Sequence, residues 1–163
     1  MNDFVLSQAK GVLVAVPDPL LAGISELSEE SGHRFEITDN PVEGTDLYVV
    51  YVESHPFPAS YTVASGVLGF RVPRNFPDAC PEDAFFIQPH TVKLREPDTV
   101  RQSIDIHRAS SNGDFLKGTK LGGEPALVFS WHIWNKVIWN RNRHTLVDHY
   151  THCLRRFDSP EHD

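Results

Sequence analysis

Cysteine is scarce in this chain: Cys80 and Cys153 are the only two in 163 residues, far apart and with no Cys-x-x-Cys pair. That excludes a disulfide scaffold and a thiolate zinc set. Long apolar runs are also missing. The stretch "GVLVAV" at 11–16 is far too short to span a bilayer, and no basic start precedes a long apolar segment. A reducing cytoplasm is therefore the expected compartment, with no membrane partner. Positive charge is in deficit, with 15 Lys and Arg against 22 Asp and Glu and a net charge of −7. Nucleic acid and anionic surfaces reward clustered cations, so nucleic acid is not an expected partner. No internal repeat or low-complexity tract interrupts the chain, which reads as one domain over residues 1–163.

What is present reads as an α+β layer. Asp18 before Pro19 is a helix entry, Leu20, Leu21, Ile24 and Leu27 recur at helical spacing, and Gly32 is a stop, so a helix is predicted over 18–31. Then come "RFEITDN", "TDLYVVYVES", "YTVASGVLGFRV" and "EDAFFIQP", runs of β-formers broken by Pro and Gly. They predict an antiparallel four-stranded meander. Residues 95–125 gather Gly, Ser, Lys and Asp without a sustained period and are expected to be irregular. The last element, "RHTLVDHYTHCLRRF", is helical, with Leu146, Tyr150, Cys153 and Phe157 on one stripe and Val147 and Leu154 beside it.

Nine histidines are many for this length. His144, Asp148 and His152 are spaced four apart and share a helix face that could hold a metal. Leu146 sits about 200° around the helix from His144, so that face is expected to point to water, and no metal or cofactor is expected. A metal-dependent hydrolase built on these histidines is the reading set aside on that ground. His33, His55 and His90, beside Gly or Pro, read as loop residues. Cys80 is crowded by Asp78, Glu82 and Asp83, which oppose a thiolate. Cys153 lies on the apolar stripe and reads as a small hydrophobe.

The stretch "VFSWHIWNKVIW" (128–139) holds all three tryptophans. If it is extended, Val128, Ser130, His132 and Trp134 share one face, with Ser130 and His132 roughly 6–7 Å apart at their bases. A serine hydroxyl is a weak nucleophile until a base takes its proton, and an imidazole is such a base near neutral pH. The plainer reading is a Ser and a His completing hydrogen bonds beside a tryptophan cluster.

The helix, the meander closing on "GFRVPRNFPDACPEDAFFI", then "FSWH", Trp139 and a terminal helix together resemble the ubiquitin-conjugating (UBC) fold. The resemblance is nearest to a divergent prokaryotic group of UBC-like proteins and covers roughly residues 18–157. It implies that Phe76-Pro77 and Pro81 stand in the family's proline loop, with Pro77 and Pro81 shaping it. The catalytic-cysteine slot, counted back from Trp139, falls at or beside Trp131, where there is no cysteine. Ser130 and His132 bracket the slot, and Trp131 and Trp139 would shape the site. The family's His-Pro-Asn is replaced by Gln88-Pro89-His90. Asn112 is the loop asparagine left to support an oxyanion, and Asp105, Asp114 and Glu124 are available to orient His132. Two functions follow from the resemblance. In one, the chain is a carrier that accepts an activated ubiquitin-like protein from an activating-type enzyme, on Ser130 with His132 as base. In the other, it is an inactive UBC-like module that binds one of those partners.

Overall fold

In the computed structural model the described residues are 15–95, 109–112, 114–130, 134 and 137–159; for 109–112 only the backbone is described. Helix α1 (Asp18–Ser31) leads into strands β1 (Glu36–Ile37), β2 (Leu47–Pro56), β3 (Ser65–Pro73) and β4 (Ala84–Gln88). Two further strands, β5 (Ala109–Asn112) and β6 (Ala126–Ser130), precede helix α2 (Leu146–Asp158). The strands form one antiparallel sheet in the order β1-β2-β3-β4-β6-β5. The meander of four strands is as expected, but the sheet has six. β6 docks on β4 and carries β5 at its outer side, so part of the segment expected to be irregular is a hairpin partner. "ASSN" has no β-forming side chains; its strand comes from backbone pairing with β6.

Both helices lie on one face. Leu20, Ile24 and Leu27 of α1 and Leu146, Tyr150, Cys153 and Phe157 of α2 are buried with Tyr48, Val50, Leu68, Phe70, Phe85, Ile87, Leu127 and Phe129. Each fully buried aliphatic side chain contributes about 1.5–3 kcal/mol. The stripe read from the terminal helix is thus the one that packs, with Val147 and Leu154 partly buried beside it. α1 begins with Pro19 in its first turn and ends at Gly32 in the left-handed region (φ 72°). α2 opens with a capping box: Thr145 Oγ1 accepts from Val147 N–H, and Asp148 Oδ2 accepts from Thr145 N–H at 2.7 Å.

The opposite face of the sheet is covered too. Val49, Tyr51, Ala84, Phe86, Ala126 and Val128 pack under Val42, Phe115 and Leu116. The Arg71 guanidinium lies 3.9 Å over the Phe115 ring, donates to its carbonyl and pairs with Glu82. Two covered faces explain why β2 reads "YVVYV" without alternation. They also give residues 114–124 a task, a cap over the second core.

β3 and β4 approach closely at two glycines. A Cβ on Gly66 would overlap the Gln88 carbonyl, and one on Gly69 would stand 2.6 Å from Phe86 Cζ. Gly66→Ala is expected to lower stability by about 1–3 kcal/mol, read as a lower urea midpoint with an unchanged slope. No helix among the described residues is long and apolar enough to cross a membrane.

Candidate functional site

The proline loop joins β3 to β4. Phe76 is buried, the Phe76-Pro77 peptide is cis, and Pro81 is buried at the approach to β4. Trp139 closes on this loop: its indole N–H donates to the Pro77 carbonyl at 2.8 Å, and its ring stands 5.8 Å from Phe76. Arg141 pairs with Asp78. Of the site residues expected from sequence, Pro77 and Trp139 are therefore brought together, with Pro81 in the same loop.

Ser130 is placed elsewhere. It ends β6 opposite Ala84 and is exposed. It alternates with Val128 and Ala126, which belong to the core on the face away from the helices. Trp131 and His132 lie outside the described residues, so the expected Ser130–His132 neighbourhood does too. The extended strand expected through Trp134 ends at Ser130.

Trp134 is pinned on the helix side. Its backbone N–H donates to Asp83 Oδ1 at 3.1 Å and its indole N–H to His149 Nδ1 at 3.1 Å. His144, His152 and Trp139 surround its ring at centroid distances of 5.1, 5.9 and 4.8 Å. This corrects the solvated-face reading. His144 precedes the helix and accepts from Asn140 N–H through Nδ1, Asp148 serves the cap, and His152 is half-buried against tryptophan. Among the described residues no three His, Cys, Asp or Glu side chains come together to hold a metal ion.

Two histidines escaped sequence reasoning. His149 is 2% exposed, and burial, then the nearby His152, pushes its pKa down to about 3. The signal was there: position 149 is three after Leu146 and four before Cys153, on the packing stripe. His55 is not a loop residue. It lies in β2, 3% exposed, with Nδ1 on the Pro56 carbonyl and Nε2 on the Tyr150 hydroxyl, both at 2.7 Å. Because a carbonyl only accepts, Nδ1 carries the proton and Nε2 accepts from the Tyr150 O–H. Burial lowers its pKa and the His33 ring at 4.8 Å lowers it further.

Neither thiol is prepared for nucleophilic work. Burial pushes the fully enclosed Cys153 thiol far up, and burial followed by the Asp83 charge raises Cys80. Asn112 does not approach Ser130. It pairs with Ala126, at the other end of β6, roughly 13 Å along the strand. That rules out the oxyanion role expected of it at Ser130. Glu124 gives its carbonyl to Gln88 Nε2 at 3.1 Å, and Asp105 lies outside the described residues. The chain matches no family model, no curated protein and no solved structure.

Proposed function

We propose that the chain is a UBC-like domain that carries the carboxyl terminus of a ubiquitin-like protein as an oxyester on Ser130. The observation that carries this reading is the exposed Ser130 hydroxyl at the end of β6. It stands at the sequence slot where relatives by resemblance keep a cysteine, in a chain whose two thiols are both disfavoured as thiolates. The order of helix, meander, proline loop packed on a tryptophan, and terminal helix supports the UBC-like part. α1 is the partner surface the resemblance implies for an activating-type enzyme.

The chemistry is acyl transfer. Ser130 Oγ attacks the activated carbonyl carbon, the thiolate of the activating enzyme leaves, and the hydroxyl proton passes to His132. An amine of the target then attacks the ester, the amide forms, and the serine oxygen leaves with the proton returned. An alkoxide is a poorer leaving group than a thiolate, so the second step needs oxyanion donors.

The test mixes the chain with an activating enzyme, the ubiquitin-like protein and ATP. An adduct is expected that survives thiol reductant, breaks in hydroxylamine, and is absent in Ser130→Ala. An adduct unchanged in Ser130→Ala would remove Ser130 from the mechanism. A docking module is the second reading. It is favoured by Ile138, 87% exposed, and Val137, 43% exposed, beside Trp139. Under it, affinity for the same partners survives both Ser130→Ala and His132→Ala and falls with Ile138→Asp.

A further inference from the structure

The segment from Ser130 to Trp134 leaves and returns to adjacent residues. Ser130 pairs with Ala84, and four residues later the Trp134 backbone N–H donates to the Asp83 carboxylate. The second tie at the returning end is the Trp134 indole on His149 Nδ1. An indole N–H only donates, so Nδ1 must be bare and the ring proton must sit on Nε2. His149 Nε2 is buried with no hydrogen-bond partner among the described residues, and the ring meets Phe70 edge-on at 4.7 Å. A second proton would set N–H against N–H and strand a cation between two aromatic rings.

We infer that His149 is a positioning residue: its neutral ring holds the Ser130–Trp134 crossover, and acid loosens that hold. The inference stands whether the crossover carries an acyl group or only docks a partner. The ionisable groups facing the ring from its surroundings are His152 and Cys153 on α2, Asp83 at the approach to β4, and His144 across Trp134. His152 adds to the effect, because its field already opposes a charge on His149. The closed crossover refuses a proton that the open one accepts near the ordinary histidine value. Opening is thereby favoured about tenfold on going from pH 7.5 to 5.5.

The reporter is hydrogen exchange of the Trp134 indole proton, followed by NMR and corrected for the free indole rate. Protection is expected to fall about tenfold from pH 7.5 to 5.5 in the native chain. In His149→Gln the side-chain carbonyl still accepts but does not titrate, so protection should hold level between the two values. Equal protection at both pH values in the native chain overturns the inference, as does an undiminished fall in His149→Gln. Should that variant not fold, nitrogen shifts of labelled histidine in the native chain decide the matter. A bare Nδ1 at both pH values, with protonated Nε2, is required; the reverse tautomer, or a charged ring in the folded chain at pH 5.5, overturns it. Loss of the serine adduct would leave all of these readouts unaffected, so the two proposals fail separately.

Discussion

Phe157→Ala is expected to cost about 3–5 kcal/mol, the range for removing a fully buried aromatic ring from a core that cannot collapse around the gap. Phe157 is 1% exposed and stands at ring-centroid distances of 4.6 Å from Tyr61, 4.9 Å from Phe57, 6.2 Å from Phe85 and 6.3 Å from His55. Its own carbonyl accepts the Tyr61 hydroxyl at 2.7 Å. Burial, then the charge of Asp158, drives the Tyr61 phenol strongly upward, so this hydrogen bond persists across the accessible pH range. One ring thus joins the end of α2 to β2, β4 and the loop that carries Tyr61. Total stability of a domain this size is about 5–15 kcal/mol, so the variant should lie near the edge of folding. Phe157→Leu should keep most of the packing, and Thr151→Ala on the exposed side of α2 should move stability by less than about 0.5 kcal/mol. A urea melt of the three variants checks the ranking. A loss below about 1 kcal/mol for Phe157→Ala would mean that α2 does not dock as described.

The second large effect is on acid stability. His149, pushed down to about 3, and His55, lowered by burial and His33, both prefer the neutral form in the fold. The unfolded chain therefore binds more protons below the ordinary histidine value, and stability rises with pH. The contribution is complete above about pH 6.5 and drains away as the pH falls toward the folded values. From pH 7.5 to 5, His149 alone removes about 2 kcal/mol, and His55 acts in the same direction. Urea midpoints measured across that range should fall steadily as acid is added. A flat midpoint would show that at least one ring is open to water.

The sequence disclosed the parts of this architecture that depend on periodicity. α1 and α2 were legible because apolar side chains recur at helical spacing and the caps sit at the ends, and the four meander strands because β-formers are punctuated by Pro and Gly. β5 was not, because its strand character resides in the backbone groups of β6. The cap over the second core was not, because one cation on one ring, Arg71 on Phe115, fastens a segment whose composition looks unstructured. The site divides in the same way. Pro77 and Trp139 were placed by their neighbours in sequence and do meet. Ser130 was found as an exposed hydroxyl, while the histidines that organise the tryptophans were hidden by an assumption that imidazoles on a helix face water. His149 and His55 are inside because each has a partner, Trp134 and Tyr150, that satisfies one nitrogen of a neutral ring.

The two outermost strands are short: β1 has two residues and β5 four, while both broad faces of the sheet are roofed. An open sheet margin is a template on which another chain can add itself, and its length sets how many backbone bonds such an addition gains. Here that template is nearly absent. The long, greasy β2, which in isolation would be the segment most prone to fibre growth, is held between neighbours on both sides, so the native molecule resists self-propagating assembly as long as its ends stay this brief.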